Sequence, residues 1–550
     1  MKIYIKNLLN KNKEPFQISK SILKNSILFI TFSFLNVFLP IFICLISANI
    51  DDKGAYATMG IGYVTSFLLA YSQIGFTFVI FSTFYIAKNK NNNSLTFSND
   101  IIYDELFIAF IYGLIIVPLF IGPAYVYTKY ANAHINTGDS LIPAYNFIYS
   151  SSGFVFLTTI ASTLIMNIHY KLGTKWSLFY LVTMFFLLFF FSSILSLLTS
   201  LKYLGLGLGL TIGIFLTIVI TTIHSYIKTD TFKRIKIKLS KNNLRNLLSF
   251  TWRPIVITLS IQIFKGAALL FLNYKIPTDL YNAVPLDFQM SRIIWYNFMY
   301  LIPFFILGLA DSTYFYFAIF PEMKQNPNVQ KSIGFLFAIA TIITILIIVI
   351  GMFLINPLAN EYVKNQNFSY DTKIIQDNLV SISEEKIINF INNSNSLTSD
   401  EKNQLINILN TNIGNTNQTI NDFISQIVAK NILLPKYIQF SAIDITNMMI
   451  FPNSFAYFYL GTYCVLYPLG QFLNASRLSI TDEKHPAILM IIVQALAILF
   501  IVLFGIDYQE TQKFFLMQAW SFPLSIIGVI AFIYMGGMYF LKLRENKFKK

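Results

Sequence analysis

Lys265 and Asp311 each interrupt a run of otherwise apolar residues, QIFKGAALLF and ILGLADSTYF. A charge held in hydrocarbon is costly, so such a group marks an ion or ligand path, a proton relay or a tight pair. The chemistry on offer is a Lys265–Asp311 pair, brought together by adjacent antiparallel helices, whose protonation or exchange of partners accompanies a conformational switch. Gln262, three residues before Lys265, adds an amide oxygen, a neutral ligand that holds Na⁺ only weakly by itself. A second polar set, Tyr145, Asn146, Ser150, Ser151 and Ser152, breaks the run AYNFIYSSSG, and Asn297 breaks a later one. Side chains of this kind line a cavity or bond to neighbouring backbone.

Catalytic and cofactor chemistry find little support. His134, His169, His224 and His485 are scattered, with no HExxH motif, carboxylate cluster or Ser/His arrangement, so an enzyme is not expected. The glycines of LGLGLGL, from Leu204, lack the strand and the acidic partner of a dinucleotide site and read as close helix packing. Cys44 and Cys464 fall inside apolar runs, where a thiol behaves as a small apolar group. Neither a cofactor nor a metal site is expected.

The elements that must hold these residues are membrane helices. The chain is 55% hydrophobic and only 12% charged, with a mean hydropathy of +0.59, outside the range of soluble domains. A bilayer core of about 30 Å takes roughly 20 apolar residues of helix. Twelve such spans are predicted, near 27–48, 63–87, 105–123, 144–168, 176–198, 204–227, 252–272, 290–319, 333–355, 451–475, 486–504 and 517–541. The basic run ahead of the first could pass for a secretory signal, but this span is too long for an apolar signal core.

Lysine and arginine sort the loops. The inner segments carry the N-terminal lysines, Lys88 and Lys90, Lys171 and Lys175, the linker FKRIKIKLSKNNLR, Arg477 and Lys484, and the tail LKLRENKFKK. The outer loops hold mostly single lysines, so both termini are expected in the cytoplasm of a multi-pass cell-membrane protein. The formal charge of +14 then faces anionic lipid and needs no nucleic acid. Predicted segments are a basic N-terminus at 1–26, a first lobe at 27–227, a basic linker at 228–246, a second lobe at 247–541 and a basic tail at 542–550. The second lobe carries an outer insert at 359–435. Ser381 with Glu384 and Thr398 with Glu401 have capping-box spacing there, so short helices are expected.

The halves repeat one another. IGFTFVIFSTFYIAKNKNN from Ile74 parallels LGLADSTYFYFAIFPEMKQN from Leu307, which aligns Gly75 with Gly308. MNIHYKLGTKWSLFYLV from Met166 likewise parallels LNASRLSITDEKHPAILMIIV from Leu473, which aligns Asn167 with Asn474. Two copies of one six-helix unit are an architecture of secondary transporters. The predicted fold class is thus an all-α polytopic membrane protein of twelve transmembrane helices in two six-helix lobes, with a helical extracellular insert.

These connections, with KGAYATMGIGYVTSFLLAYSQIGFTFVIFSTF at the first hairpin, LGLGLGLTIGIFLTIVI in the sixth span and the polar turn SRLSITDEKHPAI, resemble the multidrug and toxic compound extrusion (MATE) family and its flippase superfamily. The resemblance implies a V-shaped pair of lobes exporting amphipathic or cationic small molecules in exchange for Na⁺ or H⁺, by exposing a cavity alternately to each side. Where Na⁺-coupled relatives carry an acid on the seventh helix, counting from Pro254 lands on Gln262. The first span has no acid, and Asp51 and Asp52 lie at its outer rim. Two other readings stand beside the exporter: a lipid or lipid-linked sugar flippase, which would call for several cavity cations, and a degenerate transporter serving as a scaffold. The excess of Lys, Asn, Ile and Phe suggests an AT-rich genome of mollicute type. Oligomeric state has no signature in the sequence.

Overall fold

Hydrocarbon leaves backbone groups no partner but each other, which favours helices, and the described elements are helical. The computed structural model describes residues 15–51, 99–131, 138–229, 304–319, most of 328–346 and 526–541, and isolated positions at 57–71, 245, 349, 399–407, 465–499 and 544. In chain order the long helices are α1 (Pro15–Ala48), α2 (Asn99–Ala131), α3 (Gly138–Leu172), α4 (Thr174–Leu197), α5 (Lys202–Lys228) and α6 (Phe304–Ile319). The shorter apolar helices α7 (Lys331–Leu346) and α8 (Gly528–Leu541) follow. Five spans among the described residues are long and apolar enough to cross a membrane: Ser26–Ala48, Ile102–Val126, Leu141–His169, Thr174–Leu197 and Lys202–Lys228. They fall within a few residues of the first and the third to sixth predicted spans. The insert at 359–435 lies outside the described residues, apart from helical positions at 399–407.

The connections are tight for visible reasons. Gly173 separates α3 from α4 with φ +99°, a backbone state that L side chains resist, and its N–H reaches the carbonyl of His169 at 3.1 Å. Trp176 follows in the first turn of α4, exposed as an interfacial ring would be. The α4–α5 turn places Asp51, just past α1, between Lys202 (Nζ to Oδ2, 3.0 Å) and the Tyr203 hydroxyl (to Oδ1, 2.6 Å). That rim acid is therefore bound to the first lobe's own turn.

α5 packs most extensively against α4 and α3, and its glycines explain how. Gly205, Gly209 and Gly213 recur every four residues on the face toward α4. A Cβ on Gly213 would lie 2.7 Å from the Leu188 nitrogen, and one on Gly209 would overlap the Ser192 backbone. Gly207 faces α3, where a Cβ would overlap the Ser150 hydroxyl and come within 2.7 Å of the Ser151 nitrogen. Thr211 then donates to the Ser150 carbonyl at 2.9 Å. The glycine run is thus a backbone-to-backbone seam, as its spacing predicts.

One apolar core gathers α1 from Leu28 onward with α2 to α5, including Phe29, Phe32, Ile43, Phe147, Leu188 and Leu210. A second joins α6, α7, α8 and the 465–473 region. Ile18 and Ile22, from the start of α1, belong to this second core. The basic stretch ahead of the first span is accordingly helical from Pro15, and one unbroken helix serves both lobes.

Candidate translocation site

α1 and α6 meet antiparallel, in steps of four residues. Phe34 faces Phe304 with ring centroids 5.3 Å apart, a Cβ on Gly308 would overlap the Ile30 backbone, and Ser26 donates to Ser312 at 2.7 Å. Four-residue steps keep one helix face in register with its neighbour. Of the two glycines that the repeat aligns, Gly308 thus stands at the junction of the lobes, and Gly75 lies outside the described residues.

Above the serine pair the junction turns aromatic. Phe38 stacks on Phe34 at 6.0 Å and meets Phe189 of α4 edge-on at 5.9 Å. Phe189 in turn lies 4.1 Å from Phe42 and 6.1 Å from Phe185. A continuous aromatic strip therefore runs from α6 of the second lobe across α1 to α4 of the first. Phe34, Phe38, Phe42, Phe189 and Phe304 are all partly exposed, so their faces remain open to a ligand. No carboxylate stands between α1 and α4 among the described residues, so their shared face offers π surface in place of the oxygen ligands a bare metal cation needs.

Asp311 flanks this junction. Seven residues after Phe304, it lies about 20° round the helix from that ring and about 10 Å further along the axis. Its side chain is exposed although α6 is apolar. Asp311 is thus a carboxylate accessible beside an aromatic strip, at a spacing that an elongated organic cation would span. Lys265, its predicted partner, lies outside the described residues, as do Gln262 and Asn297.

The polar set on α3 is elsewhere in the lobe. Tyr145 stacks on Tyr125 of α2 with centroids 4.3 Å apart, and Asn146 is half-buried. Ser150 and Ser151 are buried and donate to carbonyls one turn earlier, Asn146 at 2.7 Å and Ile148 at 3.3 Å. Ser152, half-buried, donates to the Tyr149 carbonyl at 2.7 Å. Ser150 meets α5, whereas Asp311 belongs to the junction with α1, so the structure does not bring these two candidates together.

Several buried polar groups were not among the predicted site residues, although the repeat had aligned Asn167 with Asn474. Asn36 on α1 is 3% exposed with no hydrogen-bond partner for its amide nitrogen, and Asn167 on α3 is 3% exposed with none for either amide atom. Asp104 and Glu105 are buried at the start of α2, both partnered. The available signal was an isolated amide or acid within an apolar run. Among the described residues, His, Cys, Asp and Glu form no group of three that could hold a metal ion.

No family model and no curated protein matches this sequence. Solved structures do match. An outward-facing multidrug resistance MATE family transporter of the MOP superfamily aligns over 98% of both chains with a TM-score of 0.62 at 13% identity. The fold is that of a MATE transporter. An inward-facing multidrug resistance MATE transporter aligns over 93% of this chain and 99% of its own, with a TM-score of 0.61 at 11% identity. A MOP superfamily transporter from Pyrococcus furiosus, described as having a binding pocket of reverse polarity that suggests a different function, aligns over 97% of both chains with a TM-score of 0.60 at 12% identity. Alignment over nearly the whole chain agrees with the all-α polytopic membrane architecture that the hydropathy pattern predicts, and five of the predicted spans are present among the described residues.

Proposed function

We propose that this protein is a secondary transporter of the cell membrane that exports amphipathic, cationic small molecules in exchange for Na⁺ or H⁺, with both termini in the cytoplasm. The observation that carries the reading is the pairing of the partly exposed strip Phe34, Phe38, Phe189 and Phe304 with the exposed carboxylate of Asp311. The rings take the apolar body of a ligand, and their faces attract positive charge. Asp311 supplies the counter-charge, and a proton or Na⁺ arriving there displaces the ligand's cationic end, which couples the two movements. The fold supports movement between two lobes, and the basic inner loops support the orientation.

Equilibrium binding of a fluorescent lipophilic cation to the purified protein tests this reading. Asp311→Asn is expected to weaken binding about 10- to 100-fold, the equivalent of roughly 1.5–3 kcal/mol for a charge-assisted contact. Equal affinity in a folded variant would remove Asp311 from the site.

A further inference from the structure

We propose that Pro15–Ile22, the part of α1 ahead of its membrane span, is a detachable strap that holds the inner ends of the two lobes together and must release the second lobe for the protein to open inward. The word inward rests on the orientation in the proposed function. The existence of the strap rests on geometry alone.

α1 is shared between the two cores. Its span begins at Ser26, yet the helix starts at Pro15, so about 16 Å of helix precedes the bilayer segment. That extension is seated on the second lobe. Ile18 and Ile22 are buried in a core with Val329, Ile333 and Leu336, and Phe16 meets Phe335 edge-on at 5.6 Å. Ser332 donates to the Pro15 carbonyl at 2.8 Å, and Ser19 donates to the Ser332 carbonyl at 3.2 Å. From Leu28 onward the same helix is embedded in the first lobe. Two lobes joined by one continuous helix cannot part at that end unless the helix leaves one of them.

Which contact yields follows from its chemistry. The hold on the first lobe is a long, mostly apolar stretch of α1 from Leu28 to Ile46, in one core with α2 to α5. The strap's own hold on the second lobe covers only the two turns from Pro15 to Ile22, with Ser26, Ile30 and Phe34 continuing along α6, and three of the hydroxyls involved have another acceptor one turn back in their own helix. Ser19 also donates to the Pro15 carbonyl at 2.9 Å, Ser26 to that of Ile22 at 2.9 Å, and Ser332 to that of Asn328 at 2.7 Å. When the strap lifts, the hydroxyls of Ser19, Ser26 and Ser332 keep these partners, which lowers the cost of separation. Lys20 on the strap and Lys24 just beyond it are exposed and would meet anionic lipid once the strap is free. Gly308 allows α1 and α6 to close without interlocking side chains that would resist sliding apart.

The test uses the full chain with Cys44→Ala and Cys464→Ala. Spin labels at Lys20→Cys on the strap and Ile533→Cys on α8, both exposed positions, report strap-to-lobe distance in lipid nanodiscs. The expected result is a second, longer distance whose fraction rises several-fold when Ile18→Asn and Ile22→Asn loosen the seat. Ser332→Ala, which removes the bond to Pro15 along with the local one to Asn328 and leaves the apolar seat intact, is expected to raise it less and serves if the double variant does not fold. In a separate protein, a disulfide between Ser26→Cys and Ser312→Cys is expected to stop cation movement in proteoliposomes and a reductant to restore it. One unchanged distance in every variant, or undiminished transport with the disulfide formed, overturns the proposal. If no variant, nor the parent, moves a cation, the transport reading fails while the distances still judge the strap.

Discussion

Replacing Gly209 by alanine places one methyl group where α5 touches the backbone of α4. The added carbon would overlap Ser192 at its nitrogen and Cα, neither of which can turn aside as a side-chain tip could. Carbon atoms pack comfortably at about 3.5–4.0 Å, so the helices must separate by roughly 1 Å or more. Overpacking of this kind costs about 1–3 kcal/mol, against a gain of up to about 1 kcal/mol because alanine favours helix over glycine. With the full gain the net loss is roughly 0–2 kcal/mol against the parent and about 1–3 kcal/mol against a glycine-to-alanine change that meets no neighbour. Gly334→Ala is the control, since nothing lies within 4 Å of a Cβ there and only the helix-propensity gain remains. Thermal unfolding in one detergent should rank Gly334→Ala at or above the parent and Gly209→Ala below it. Equal midpoints for the two variants would refute the backbone contact and, with it, the account of the glycine run.

Further expectations follow from the same geometry. Phe189→Ala should weaken lipophilic-cation binding about 3- to 30-fold, since cation–π contacts are worth about 0.5–2 kcal/mol, and equal binding would take α4 out of the site. At the outer rim, Tyr203→Phe should lower unfolding stability more than Lys202→Ala. The tyrosine gives Asp51 a 2.6 Å charge-assisted bond, whereas Lys202 is 55% exposed and its ion pair is worth about 0–1 kcal/mol. The reverse order in thermal unfolding would contradict this assignment. Asp311→Asn should leave stability near that of the parent while lowering affinity, because its side chain is exposed.

Much of the fold was legible because hydropathy reports which segments must leave water. The five described spans fall where apolar runs of about 20 residues place them, and the LGLGLGL spacing foretold a close seam because glycine every fourth residue marks one helix face. The turn at Gly173 was legible as a polar break with a glycine at its end. The dual membership of α1 was not. Ile18 and Ile22 sit among lysines and read as a basic leader, since composition says nothing about which partner an apolar pair will find. Helix rotation was equally hidden. The five polar positions of AYNFIYSSSG on α3 look alike in sequence, yet Ser150 meets α5 while Tyr145 stacks on α2. Asp311 was visible as a charge in an apolar run, whereas the aromatic strip beside it was lost among 55 phenylalanines until the ring positions were known.

The most direct test is transport itself. Purified protein in liposomes loaded with a fluorescent lipophilic cation would be given a Na⁺ gradient or a pH gradient, each alone, with Asp311→Asn in parallel. The account predicts movement driven by one gradient and lost in the variant. Folded protein that moves the cation under neither gradient would contradict it.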